Sequence, residues 1–326
     1  MNERKLAYRL HCQKEKTIPL FSRDWWMDAV CGEDNWDVLL VERDNEIVAS
    51  MPYYKKKKFG LTVITQPPLT QTNGIWIKYP PGQKYSSRLS YEKEVMTEII
   101  DQLQALNPDY YSQNFHYSVT NWQPFYWKGF TQTTRYTYVI PDINTINLEE
   151  LFSEFSRAKR RNIKRAESIL DVRMGLGSQE FYNHHKNSLA EQGEIISYSF
   201  DTFQRIYNAS VQRGYGQTIY AVDENQEIHS ALFVVWDENS AYDLISTIDP
   251  GFRESGSASL LIQEIIKYVS TKTNHFDFEG SMIEGVANSF RQFATIQKPY
   301  YNISYMSRRM KVAYHSKELI KAIFNR

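Results

Sequence analysis

Apolar and polar positions along the chain switch several times between a two-residue and a three-to-four-residue period. Residues 36–41, apolar at all but Asp37, predict a buried strand, Asp44-Asn45 a turn, and 46–54 the returning strand. Residues 63–66 predict a short strand ended by Pro67-Pro68, and Asn73-Gly74 a turn before 75–77. In 87–106 the apolar residues Leu89, Val95, Met96, Ile99, Ile100, Leu103 and Leu106 fall at helical spacing, and Asn107-Pro108 stops the helix. Residues 115–119 and 136–140 read as strands, and Pro141-Asp142 opens a polar joint. Asn147, with Glu150 three positions on, caps a long helix whose face is Leu148, Leu151, Phe152, Phe155, Ile163 and Ala166. Helices at 181–192 and 200–213 precede a three-strand antiparallel meander, 218–222, 228–236 and 242–248. A loop, a helix at 257–270, a strand at 275–278, a helix at 286–294 and a strand at 301–306 complete the pattern.

With 326 residues the chain has room for about two domains. The joint at 141–146 divides it into 1–146 and 147–326. The segment 41–47 echoes 222–228, and both returning strands open on Glu-Ile, as a duplicated domain would give. Aromatic residues make up 14% of the chain, enough ring surface for a sizeable core, so a wholly disordered chain is excluded. Basic and acidic residues are equal at 38 each, so no global positive field drives binding to DNA, and an anion site must be local. Cys12 and Cys31 are too few for a disulfide framework or a four-thiolate zinc site. The adjacent His184 and His185 face different sides of their helix, and no metal site is expected. The first five residues are charged with no apolar run behind them, and the longest apolar run, 231–236, is far short of a membrane span. A cytoplasmic location is expected.

Two stretches carry candidate chemistry. The loop entering the 257–270 helix contains Arg253, Gly256, Ser257 and Ala258. Small residues at a helix start let a phosphate approach unpaired backbone N–H groups, and Arg253 adds a fork of donors. A turn that needs glycine explains the same residues. Between 157 and 165, six of nine side chains are basic and none is acidic. Arg160 and Lys164 are i,i+4 neighbours, as are Arg157 and Arg161, so the like charges repel unless an anion offsets them. Arg160, Arg161 and Lys164 are therefore candidates for contact with an anionic donor or acceptor, against a solvated helix face. The run Lys55–Lys58 reads as a solvated hairpin end.

Arg253, Gly256 and Ala258 resemble the Arg-x-x-Gly-x-Ala pyrophosphate motif of the Gcn5-related N-acetyltransferase (GNAT) superfamily, in that superfamily's order of elements. A narrower resemblance covers most of the chain. The basic segment 158–166, Phe276-Asp277-Phe278-Glu279-Gly280, and Phe290-Arg291-Gln292-Phe293-Ala294 resemble segments of the FemABX peptidoglycan aminoacyltransferases. The resemblance implies an α+β fold of two tandem GNAT domains, each a mainly antiparallel mixed sheet flanked by helices. It also implies an N-acyltransferase acting by direct attack, with acyl-coenzyme A or aminoacyl-tRNA as co-substrate and no tightly bound cofactor. The acceptor is an amine, as in a cell-wall precursor peptide.

The resemblance places Arg291 at the acyl end of the site, where a fixed cation steadies a developing oxyanion. Glu279, at the end of its strand, is a candidate proton acceptor, and Asn288 a candidate for holding a pantetheine amide or the acceptor. Arg291 stands where the family has Lys, and Ala294 where it has Gly. No sustained heptad pattern marks the long two-helix arm of some members, which leaves acyl-coenzyme A as open a donor as aminoacyl-tRNA. The alternative class is a non-catalytic ligand-binding protein on a degenerate GNAT scaffold.

Overall fold

The computed structural model describes residues 3–312 and 314. They fall into two compact units: residues 3–135 together with those from 299 to 312, and Tyr136–Lys298. The chain divides differently from the expected cut after residue 146. The pairings explain why: residues 139–140 pair with the strand at 276–277 of the second unit, while 302–306 pair with 110–114 of the first.

The first unit begins with α1 (Glu3–Lys14) and α2 (Asp24–Cys31), followed by β1 (Trp36–Arg43), β2 (Glu46–Lys58), β3 (Leu61–Thr65) and β4 (Trp76–Ile77). α3 (Tyr85–Ala105), β5 (Tyr110–Asn114), α4 (Gln123–Trp127) and the start of β6 (Thr131–Ile140) complete its first segment. Asp44 and Asn45 both take positive φ, the turn that matches strand twist in a two-residue hairpin. β1, β2 and β3 are antiparallel neighbours, whereas β3 and β5, which flank α3, run parallel. The helical spacing in α3 is used as expected: Val95, Met96, Ile99, Ile100 and Leu103 are all buried against Leu39, Met51, Tyr111 and Ile303. The strand expected at 115–119 lies earlier, at β5. Phe115, just past its end, still donates its N–H to the Tyr301 carbonyl at 2.8 Å while its ring packs on Gly74, where a Cβ would stand 2.0 Å from it.

The second unit holds the end of β6, α5 (Leu148–Glu154), α6 (Arg157–Glu167), β7 (Asp171–Met174), α7 (Ser178–Ala190) and α8 (Phe200–Gln212). Next come β8 (Gly216–Val222), β9 (Ile228–Trp236), β10 (Ser240–Ile248), α9 (Ser257–Val269), β11 (His275–Asp277), α10 (Glu284–Phe290) and β12 (Ile296–Met306), the last shared with the first unit. The strand order within the unit is β6-β11-β10-β9-β8-β7. β10 and β11, which flank α9, are parallel; the other neighbouring pairs are antiparallel. The single long helix expected from Asn147 is two helices. Asn147 does cap the first, accepting from the Glu149 N–H, but Phe155 and Ser156 are extended and Ser156 caps α6 through the Lys159 N–H. α9 is buried on nearly every side, from Leu260 and Leu261 to Ile266 and Val269.

The order helix, helix, three strands, helix, strand, helix, strand appears twice, as α1 to β6 and as α7 to β12, apart from the added β4. The echo between 41–47 and 222–228 falls on the corresponding hairpins, β1–β2 and β8–β9. Among the described residues no helix is long and apolar enough to cross a membrane.

Candidate functional site

The parallel strands β10 and β11 pair over three residues only, ending at Tyr242 opposite Asp277. β10 continues to Ile248, held by β9, while the chain after β11 turns away and the Phe278 N–H donates to the Tyr138 carbonyl at 3.0 Å. The strands therefore fork at their carboxyl ends, where α/β proteins commonly place ligands. In the first unit the equivalent pair, β3 and β5, does not fork. β3 stops at Thr65 before Pro67, and the loop that follows folds back on β5, with the N–H groups of Asn73 and Gly74 on the Asn114 carbonyl.

Carboxyl groups gather at the fork. Asp243 follows the last paired residue of β10, at a register shift in the strand, and both its oxygens accept from Ser246 Oγ at 2.8 and 2.7 Å. Burial pushes the Asp243 carboxyl up to about 6. Asp277 is 1% exposed and accepts from Thr137 Oγ1 and, at 2.8 Å, from the Glu279 N–H. Glu279 and Gly280 both take positive φ. Gly280 is required there, because a Cβ would lie 2.2 Å from the Tyr136 carbonyl oxygen. Glu279 pays a strain for the same conformation, of the kind found at functional sites. Its Oε1 is buried and makes no hydrogen bond. Burial first, then the charges of Asp277 and Asp243, raise the Glu279 carboxyl well above the ordinary carboxylate range. Once ionised, such a carboxylate is a stronger base than usual, suited to take a proton from an amine.

The loop before α9 departs from the open cradle the sequence suggested. Residues Pro250–Ser255 form a short 3-10 helix, and Gly256, at φ +87°, lies against the backbone of α6. A Cβ there would be 2.3 Å from the Asn162 carbonyl oxygen. Ser257 is 1% exposed and its N–H donates to Ser255 Oγ at 3.2 Å, while Ala258 is half-buried. The glycine at 256 is thus explained by a close helix–loop approach. Arg253 is exposed and bonds Gln192 Oε1 at 2.5 Å.

The basic residues of α6 separate by face. Arg160, Arg161 and Lys164 are exposed, and among the described residues none forms an ion pair. Lys159 instead shares the inward face with Ile163 and Ala166, at i, i+4 and i+7. Its Nζ donates to Ser289 Oγ at 2.8 Å and lies 4.3 Å from the centre of the Phe293 ring. Burial lowers its pKa to about 8. That spacing was present in the sequence, but the run of charges masked it. Arg291, expected beside the reacting acyl group, is an exposed residue at the end of α10. Asn288 is half-buried on α10, and its carbonyl accepts from Gln292 Nε2 at 2.8 Å. Ala294 takes a left-handed φ of +57°, the conformation that favours the glycine of the resembled segment and costs an alanine about 1 kcal/mol. His184 bonds the Ile228 carbonyl and Thr247, and His185 stacks on Tyr198. The structure therefore brings Glu279 together with Asp243 and Asp277, which were not singled out.

No protein-family model and no curated protein sequence matches the chain. Solved structures do match its fold. A crystal structure of FemX aligns at TM-score 0.70 and 12% identity, over 100% of this chain and 99% of that one. The C-terminal domain of a lysylphosphatidylglycerol synthetase described as putative, from Agrobacterium fabrum, aligns at TM-score 0.57 and 10% identity, over 98% and 96%. A tandem GNAT protein from the clavulanic acid biosynthesis pathway aligns at TM-score 0.52 and 8% identity, over 92% and 93%. With the repeated element order and the paired parallel strands in each half, these alignments show that the chain has the fold of FemX, two GNAT-like domains in tandem.

Proposed function

We propose that the protein is an N-acyltransferase whose second unit joins an acyl or aminoacyl group to an amine at the β10–β11 fork. The observation that carries this reading is Glu279: a buried carboxyl oxygen without a hydrogen-bond partner, on a strained residue, beside Asp243 and Asp277. The amine nitrogen attacks the acyl carbon, a C–N bond forms, and the C–O or C–S bond to the carrier breaks. Glu279 takes the proton the ammonium must lose, and the departing oxygen or sulfur regains one. The likeness to FemX and to a tandem GNAT protein supports the reaction class.

Of the two donors, aminoacyl-tRNA fits better. The glycine at 256 is accounted for by its close approach to the Asn162 carbonyl without a pyrophosphate, while Arg160, Arg161 and Lys164 offer unpaired charge to a larger polyanion.

The test is amide formation followed by mass spectrometry. The donors are aminoacyl-tRNA or acetyl-coenzyme A; the acceptors are a uridine-diphosphate-linked muropeptide or a simple diamine. Product is expected with aminoacyl-tRNA, and Glu279→Gln should lower its rate by about 10²-fold or more at unchanged folding. Absence of product from every pairing overturns the proposed activity. Product formed equally well by the variant removes Glu279 from the reaction.

A further inference from the structure

A second feature lies in the first unit and is independent of the fork. β2 outlasts its neighbour: β1 pairs with it only as far as Trp36 opposite Tyr54, whereas Lys55, Lys56, Lys57 and Lys58 continue, paired with β3 alone. All four lysines are exposed. Asp34 and Asp37 line the same shallow cavity as Lys55–Lys57, yet among the described residues none of the four lysines forms an ion pair. The hairpin turns through Phe59 and Gly60, both at positive φ. Phe59 is 93% exposed. A two-residue turn of this kind ordinarily carries Asn, Asp or Gly at its first position. Here it carries a large aromatic side chain in a conformation that strains it, and the fold gains no burial in return.

Lysines alone on an overhanging strand are explained as a guard against edge-to-edge aggregation. An aromatic ring at the tip works against such a guard, because it adds apolar surface where a foreign strand would dock. Ring and lysines agree if the tip meets an apolar layer behind an anionic one. We propose that the β2–β3 hairpin is a docking element for an anionic lipid bilayer, with Phe59 entering the interface and Lys55–Lys58 lying among the headgroups.

The geometry favours a planar surface over a nucleic acid. Successive strand residues point to opposite faces, so Lys55 and Lys57 lie on one side of the hairpin and Lys56 and Lys58 on the other. A polyanion laid along one face meets half of them, whereas a bilayer entered tip-first surrounds all four. At about 3.3 Å per residue the lysines reach back about 10 Å, comparable with the headgroup layer of one leaflet. Each lysine near such a surface strengthens binding about fivefold.

The experiment is co-sedimentation of the full chain with phosphatidylcholine vesicles, with and without phosphatidylglycerol. Binding is expected only to the anionic vesicles and should weaken as salt rises. Phe59→Ser should weaken it about tenfold. Lys56→Glu combined with Lys58→Glu should weaken it at least about 25-fold. In Phe59→Trp, after subtraction of the parent signal, emission should shift to the blue on anionic vesicles. Circular dichroism on each variant verifies the fold, which these exposed side chains do not support. Failure to bind anionic vesicles overturns the proposal. So does binding that the hairpin variants leave unchanged, or loss confined to RNA binding. Aggregation of the lysine variants with unchanged vesicle affinity assigns the lysines to edge protection and also overturns it.

Discussion

Asp243 shows how a single buried side chain ties the candidate site to stability. Its carboxyl is raised to about 6, so the folded protein holds a proton there over a range in which the unfolded chain has released it. The resulting stabilisation is complete below the ordinary carboxylate pKa and is lost as pH rises through about 6, amounting to about 3 kcal/mol at most. Glu279, also raised, adds a contribution of the same sign. Asp243→Asn should therefore flatten the decline in urea-unfolding free energy between mildly acidic and neutral pH. Parallel profiles for parent and variant would show that the carboxyl is not held as described. The same physics sets the direction for activity, since Glu279 accepts a proton only when ionised and transfer should rise with pH through its raised pKa. Glu279 was legible in the sequence as the end of a strand, next to a glycine. Its partners were not, because nothing in a period-two pattern says that residue 243 of one strand faces residues 277 and 279 near another.

Helices and hairpins followed closely from periodicity where one face is apolar, as in α3, α8 and the β8–β9–β10 meander. The break between α5 and α6 was hidden because Phe155 continues the apolar pattern through the very residue that leaves the helix. Phe155 is buried against Phe293, so burial, which periodicity reports, is preserved while the backbone turns. β5 was displaced in the reading because Phe115, strongly strand-favouring by type, lies just past its end: its N–H still bonds the Tyr301 carbonyl at 2.8 Å, but its ring packs on Gly74. The break at Ser156 brings α6 across the loop before α9, where Arg165 Nε also bonds the Ser255 carbonyl at 3.4 Å. Gly256→Ala should force these two elements apart, since both the left-handed φ and the 2.3 Å approach to Asn162 exclude a Cβ. A loss of several kcal/mol in unfolding free energy is expected. A variant as stable as the parent would mean that α6 lifts readily, and would return the α9 amides to consideration as a phosphate seat.

The two units are built from one order of elements but closed differently. The second is a continuous stretch, whereas the first takes its last strand residues, 302–306, from beyond the second. Ile303 is fully buried in the first unit's core, beside Tyr111. A chain ending at Lys298 should therefore lose hydrogen-exchange protection at the β5 amides relative to one ending at Tyr314. A peptide spanning 299–312 should restore it, and full protection without that strand would show that β5 does not depend on it. The interleaving also imposes a timetable on synthesis. At about 5–20 residues per second, the 136–298 stretch occupies the ribosome for roughly ten to thirty seconds. By the end of that interval the later-made half holds everything it needs to close, while the earlier-made half still waits with a raw sheet edge. The nascent chain is thus most in need of a chaperone just before its final strand emerges.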